Sequence, residues 1–202
     1  LYIAMSYIEG AMLQGKNGSR PADHIQLAGN TLDLNCGAVY EAEMSPAQKD
    51  SSGHLIDSNW VVNNMAAMIT GGRKPEGQRV APYDRCDTNR IANPDNIKYS
   101  SSMRTLFIGE DSANHLNNFL WAYQPDTAKL TRILSAPVGG ELTGLQVVPN
   151  ANGFAYIMSN VQHPGATNDL KQYPQEVVTG LGQRVDQRGK VGYLQGMPAI
   201  TR

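Results

Sequence analysis

Four short polar segments lie beside apolar runs that have the length and alternation of β-strands. They are Ala92–Asn96, Ile108–Ser112, Gly139–Gly144 and Asn160–Gly165. Their side chains are mainly carboxylates and amides, whose oxygens are hard ligands that suit Ca²⁺, while histidine and additional carboxylates would also admit iron. Where the ends of several strands meet at one rim, such segments predict a metal-binding site.

Glu141 is the strongest single candidate in these segments. It follows two glycines and precedes an apolar strand, which allows close approach of the backbone. The adjacent acids Glu110 and Asp111 point to opposite faces if their strand continues, so that only one of them lines a given site. A turn beginning at Gly109 would remove that restriction, and a solvated strand end remains the simpler interpretation of the pair.

Asp95 lies in the run Asn93-Pro-Asp-Asn96, which is also typical of an ordinary turn. His163 precedes a proline and is more typical of a structural histidine than of a ligand. The sequence has no phosphate-binding glycine-rich loop, no nucleophile-elbow motif and no His-Glu-x-x-His motif. For an enzyme, a metal centre is then the most economical mechanism.

The chain contains two cysteines, Cys36 and Cys86, each in a segment with turn-forming residues. Their spacing does not fit a zinc site, which would need further Cys or His at short intervals. The sequence favours a disulfide formed in an oxidising compartment, and the alternative is two unrelated buried thiols.

The elements that would position these residues are short strands joined by polar loops. Charged residues make up only 17% of the 202 residues, and turn-forming residues are plentiful. Alternation and turn signals predict a series of nine strands. These are Leu1–Ile8, Ala38–Met44, Asn96–Tyr99, Thr105–Gly109, Phe119–Gln124, Leu130–Leu134, Leu142–Val148, Phe154–Ser159 and Val191–Gln195.

Other segments break this rhythm. Asp57–Thr70 has a capping residue at its start and two glycines after its end, and we expect a helix there. Gln14–Asn30 and Gly72–Asp84 have the composition of long loops.

Strands and hairpins that recur every ~40–50 residues are typical of propeller blades, and a β-sandwich is the competing architecture. We therefore expect an all-β fold, with a few short helices and long loops, in which residues 1–202 form two to three blades of one partial propeller. The chain opens inside an apolar strand pattern, so we expect it to be part of a longer protein whose N-terminal blades and export signal lie upstream. A net charge of -1 argues against binding to nucleic acid or to an anionic membrane.

Five motifs, in their order and spacing, resemble the C-terminal part of bacterial PhoX-type alkaline phosphatases. They are Asn93–Asn96, Leu106–Asp111, Leu120–Tyr123, Gly140–Gly144 and Val161–Gly165. The resemblance is densest over Cys86–Gly165, and it is looser at the N-terminus, where Tyr2–Glu9 resembles a strand and rim segment of the same propeller. The combination of Glu-x-Thr-Gly with Gln-His-Pro-Gly is its most specific part.

The resemblance implies a periplasmic or secreted six-bladed propeller that hydrolyses small phosphomonoesters at a centre of Fe³⁺ and Ca²⁺. It implies that the N-terminal remainder of the same protein supplies further metal ligands. The metal ligands that it implies in this chain are Glu141, Glu110, Asp111 and Asp95, with Glu9 and His163 as further candidates and with Asn93 and Asn96 beside the site.

Two other functions remain open. Family members carry an arginine shortly before the glutamate of the Glu-x-Thr-Gly motif, where this chain has Pro137–Gly140. A calcium-dependent lactonase or esterase propeller would use similar ligands without that arginine. A propeller without catalytic activity would use the same acids to hold structural calcium.

Overall fold

The structure is a computed structural model, and it describes residues 1–7, 36–78, 84–165, 175–182 and 186–200. The described residues form three antiparallel sheets. The strands of the first sheet, in their spatial order, are β1 (Tyr2–Met5), β2 (Ala38–Ser45) and β3 (Val61–Thr70). The all-β class predicted from the sequence is confirmed.

The second sheet has four strands, β4 (Pro94–Ser100), β5 (Thr105–Glu110), β6 (Phe119–Gln124) and β7 (Lys129–Ser135), in sequence order. The third sheet consists of β8 (Glu141–Ala151), β9 (Phe154–Gln162) and β10 (Lys190–Pro198). A short helix, α1 (Gln175–Gly182), lies between β9 and β10 in the described part of the chain. No helix in the described ranges is long and apolar enough to span a membrane.

The helix expected over Asp57–Thr70 is wrong, because most of this segment forms β3. Its alanines and methionines favour a helix, but Val61, Val62 and Ile69 are β-branched and favour a strand. Antiparallel pairing with the whole of β2 decides the outcome. Local propensity is a weak signal when a long-range partner is available.

The second sheet lies between the other two sheets, and its strand β5 is covered on both faces. Leu106 and Ile108 of β5 pack with Val39 of the first sheet. Phe107, between them in sequence, packs with Leu142 and Ile157 of the third sheet. Burial on both faces explains why β5 is continuously apolar rather than alternating.

Close contact between the second and third sheets depends on Gly109 in β5. A Cβ atom placed on Gly109 would lie 2.0 Å from the carbonyl oxygen of Leu142 in β8. Only glycine allows the two backbones to come this close. Since Gly109 immediately precedes Glu110, this contact also fixes the position at which β5 ends beside β8.

A disulfide joins Cys36 to Cys86, the pairing that the sequence favoured. Both residues are fully buried and pack against Ala92. The backbone nitrogen of Asn93 donates to the carbonyl oxygen of Cys36 at 2.8 Å. The disulfide therefore fastens the start of β2 to the segment that leads into β4.

We expect the double variant Cys36→Ser, Cys86→Ser to unfold at lower denaturant concentration than the parent chain. Closing a loop of 50 residues restricts the unfolded chain, and its loss corresponds to about 4 kcal/mol in the chain-entropy model. Urea unfolding under oxidising conditions measures the difference. A reductant should lower the stability of the parent and leave the variant unchanged. Equal midpoints for the two proteins would contradict a stabilising disulfide.

Candidate functional site

A polar cavity of about 300 Å³ opens where the end of β1, the β5–β6 loop and the start of β8 meet. It is lined by Ser6, Tyr7, Asp111, Ser112, Ala113, Asn118, Gly139 and Glu141. Asp111 is exposed and Glu141 is partly buried. Two carboxylates that belong to separate predicted polar segments therefore line the same cavity.

Glu110 has the opposite orientation from Asp111. Strand β5 continues through Glu110, so that its side chain lies on the same face as Leu106 and Ile108 and is fully buried. The restriction that allows only one of the two acids to line a given site therefore applies. It is Asp111 that lines the cavity.

The Glu110 carboxylate is surrounded by nitrogen atoms of the chain itself. One oxygen accepts from the backbone nitrogen of Ala92 at 2.8 Å and from Trp121 Nε1 at 2.6 Å. The other accepts from the backbone nitrogen of Phe119 at 2.8 Å and lies 2.9 Å from His115 Nδ1. A carboxylate has about four acceptor sites, so these contacts use its capacity in this arrangement.

His115 is a partner of Glu110 that the sequence analysis missed. Its ring is fully buried, and Nε2 lies 3.2 Å from the carbonyl oxygen of Asp87. Both ring nitrogens therefore lie against oxygen atoms of the chain. A histidine five positions after a glutamate has no characteristic spacing, and only the fold of the β5–β6 loop brings the two together.

Asn118, another residue that the sequence analysis missed, joins the two sides of the cavity. Its Oδ1 accepts from the backbone nitrogen of Ser112 at 3.0 Å, and its Nδ2 donates to the carbonyl oxygen of Gly140 at 2.9 Å. It thus connects the loop that carries Asp111 to the turn that precedes Glu141. The only sequence signal is an amide side chain just before an apolar strand.

Asn93 forms hydrogen bonds with two residues that line the cavity. It is fully buried with a positive φ of 41°, and its Nδ2 donates to the carbonyl oxygen of Ser6 at 2.7 Å. Its Oδ1 accepts from the Ser112 hydroxyl and, at 2.9 Å, from Asn114 Nδ2. Asn93 is therefore a structural neighbour of the cavity that holds two of its lining residues.

The remaining candidates lie away from the cavity lining or outside the described residues. Asp95 is exposed on β4, where Oδ2 accepts from Asn96 Nδ2 at 2.5 Å. Asn96 Oδ1 accepts from the backbone nitrogen of Gly144 at 3.0 Å, which links β4 to β8. His163 is exposed after β9 with a positive φ of 48°. Glu9 lies outside the described residues.

The lining groups of the cavity fit an oxygen-binding cation in type. Carboxylates, hydroxyls and amide oxygens are the ligands of calcium, and the described lining contains no imidazole or thiolate. No three His, Cys, Asp or Glu side chains within the described ranges form a metal-binding group. The described part of the cavity supplies two carboxylates, Asp111 and Glu141.

We expect Glu110→Gln to lower the free energy of unfolding by about 3 kcal/mol. The amide nitrogen of glutamine would face donors, and the partner His115 would lose its carboxylate. Urea unfolding followed by far-UV circular dichroism measures this. The matched control is Asp126→Asn, which breaks an exposed ion pair with Arg104 and should change stability little. An equally small effect of Glu110→Gln would contradict a stabilising role for the buried carboxylate.

Comparisons with known proteins reveal no relative whose function could be assigned to this cavity. No protein-family model matches the chain, and no match was found among curated proteins or among solved structures. The interpretation of the cavity between β1, the β5–β6 loop and β8 therefore depends on its geometry and on the motifs of the chain.

Proposed function

We propose that the cavity lined by Asp111 and Glu141 is a calcium site of a metal-dependent phosphomonoesterase. The observation that carries the proposal is that these two acids, from separate motifs of the PhoX-type resemblance, line one polar cavity. In this proposal the chain forms the C-terminal part of the propeller of that enzyme. The N-terminal remainder of the protein completes both the propeller and the metal centre.

The arrangement of the sheets supports a propeller. The second sheet is a four-stranded antiparallel meander, as a propeller blade is. Strands β4 and β8 contact each other, β5 contacts β8, and β1 contacts β4. Because β1 contacts β4 in the way that β5 contacts β8, β1, β2 and β3 correspond to β5, β6 and β7. Strands β4 and β8 are then the first strands of successive blades. First strands that contact one another are expected where blades surround a common axis.

The cavity lies at the end of the sheets where such first strands begin. Glu141 is the first residue of β8, and Asp111 directly follows β5, which pairs antiparallel with β4. The hydrogen bonds of Asn118 hold the loops of the two sheets together at this point. Loops from neighbouring blades that meet at one end are where a propeller would place a ligand site.

Calcium would be held by the carboxylates of Asp111 and Glu141, and the Ser112 hydroxyl lies in the same lining. When bound in such a site, a metal ion polarises phosphoryl oxygens and offsets the negative charge that develops in the transition state. The contribution of this chain is to bring the two carboxylates together. For iron, the described lining offers oxygen ligands and no imidazole or thiolate, so we assign any nitrogen or sulfur ligand of an iron site to the remainder of the protein.

The disulfide supports an exported, periplasmic or secreted, location. Disulfides persist in oxidising compartments and are rare in the cytosol. Cys36 and Cys86 are joined and buried, as a structural disulfide requires. The pairing therefore agrees with export of the parent protein.

One observation favours a second function, a calcium-dependent lactonase or esterase. The residues that line the described part of the cavity include no arginine, and the turn before Glu141 is Pro137–Gly140. A phosphate dianion is usually bound by paired donors of arginine, whereas a lactone or ester carbonyl needs no such group. A binding propeller with structural calcium would share the carboxylates and lack turnover.

We expect Asp111→Asn and Glu141→Gln each to weaken calcium binding by about tenfold or more, because the number of charged ligands sets calcium affinity. Calorimetric titration of the intact, metal-free protein measures this. Glu43→Gln, which removes an exposed acid on β2 outside the cavity lining, should leave binding unchanged. In the intact enzyme, Glu141→Gln should lower metal content and hydrolysis of p-nitrophenyl phosphate together. Unchanged iron and calcium in that variant would contradict the assignment.

Substrate profiles of the intact enzyme separate the candidate functions. The phosphatase proposal expects hydrolysis of p-nitrophenyl phosphate that is lost on chelation and restored by calcium and iron. Hydrolysis of lactones or carboxylic esters without phosphatase activity would favour the second function. Calcium binding with neither activity would favour a binding propeller.

A further inference from the structure

Strand β3 forms an edge of the first sheet, and among the described residues it pairs only with β2. Its ten residues, Val61–Thr70, contain no charged side chain, no proline and no glycine. Among the described side chains, Arg90 contacts this edge at its last residue, where it donates to the carbonyl oxygen and the hydroxyl of Thr70. Elsewhere the outer edge of β3 has no strand partner among the described residues, and its backbone groups can pair with another strand.

The outer strands of the other two sheets carry the features that normally prevent edge pairing. Strand β7 has Lys129 and Arg132. Strand β10 has Lys190, a register shift between Leu194 and Met197, and a proline at its end. Charges, irregular register and proline all discourage the addition of a strand. Strand β3 also has register shifts, but among the described outer edges it is the one without charge or proline.

The part of β3 that can continue a regular sheet is its centre. Its register with β2 shifts at two places, where Asn63 and Met68 have no partner. Between these places, Asn64–Ala67 pairs regularly with Tyr40–Glu43. Edge pairing should therefore be short and centred near Met65 and Ala66.

An exposed apolar patch lies beside this central run. Met65 pairs with Ala42 and Val62 pairs with Met44, so that Met65, Val62 and Met44 share one face of the sheet. Met65 is 45% exposed and Val62 is 46% exposed. Exposed apolar groups next to a free strand edge are typical of an interface with another protein.

We propose that β3 is a self-association edge, at which two copies of this chain pair antiparallel through Asn64–Ala67. The chemistry of the edge selects a second copy, because an uncharged strand can lie against itself without like-charge repulsion. A twofold axis between two β3 strands closes the assembly as a dimer. Because the axis is perpendicular to the joined sheet, the two apolar patches lie on the same face and Met65 lies near its symmetry mate.

The acidic residues of the neighbouring strand do not oppose this pairing. Glu41 and Glu43 belong to β2, one strand away from the edge. In the joined sheet, these residues and their symmetry mates would be separated by three strand spacings, or about 14 Å. That distance exceeds the Debye length of about 8 Å at physiological ionic strength, so their repulsion is screened.

Sedimentation equilibrium of the full chain over a wide concentration range tests the proposal. We expect a reversible monomer–dimer equilibrium, and we expect Met65→Lys to weaken dimerisation by about tenfold or more. The matched control is Thr131→Lys on the edge strand β7, which adds the same charge at an exposed position and should leave the equilibrium unchanged. An equimolar mixture of Met65→Lys and Met65→Glu should recover dimers, because opposite charges then meet near the twofold axis.

A second substitution guards against a folding defect in Met65→Lys. Asn64→Lys adds charge to the same edge, and its lysine would lie opposite Glu43 of β2 in a cross-strand ion pair that favours the fold. We expect Asn64→Lys to weaken dimerisation while far-UV circular dichroism stays unchanged. A chain that stays monomeric throughout, or a loss of dimer with Thr131→Lys equal to that with Met65→Lys, would overturn the proposal. Open-ended aggregation instead of dimers would also overturn it.

Discussion

The buried carboxylate of Glu110 is the interaction on which the candidate site depends. It takes contacts from three parts of the chain: the segment before β4 through Ala92, the β5–β6 loop through His115, and β6 through Phe119 and Trp121. A buried charge without partners costs several kcal/mol, so alternative conformations of these segments that leave it unpaired are strongly disfavoured. The loop that carries Asp111 and Ser112 is thereby held at both ends by one side chain.

Between the Glu110 carboxylate and the cavity, amide side chains form the hydrogen bonds that hold the lining residues in place. Asn93 fixes Ser6 and Ser112, and Asn118 fixes Ser112 and the turn before Glu141. The backbone nitrogen of Cys86 donates to the carbonyl oxygen of Asn114, so the disulfide braces the same loop from its other side. Amides are suited to this task because each side chain both donates and accepts, and it can join two backbones without adding charge near the carboxylates.

The strands were largely predictable because their signals are local. The structure has strands where the sequence alternates and where β5 is continuously apolar, and it has turns at the Pro-Asp and Asn-Gly pairs between strands. The exception is β3. Its segment has a capping residue, alanines and a glycine stop, all of which favour a helix, but long-range pairing with β2 makes it a strand. For the site, the sequence identified Asp111 and Glu141 as acids at strand ends. It missed His115 and Asn118, because their partners are fixed by loop conformation, which no spacing rule describes.

The contrast between Glu110 and Asp111 shows why residue type alone cannot assign a role. The two acids are adjacent in sequence, but one is buried among donors of the chain and the other faces a polar cavity. Strand alternation decides between them, because β5 continues through Glu110 and so turns the next residue to the other side. Asp111, on the cavity side, is one of the two acids of the proposed calcium site. Calcium takes six to eight oxygen ligands, so the two carboxylates leave positions for oxygens of the N-terminal remainder, of water and of a substrate.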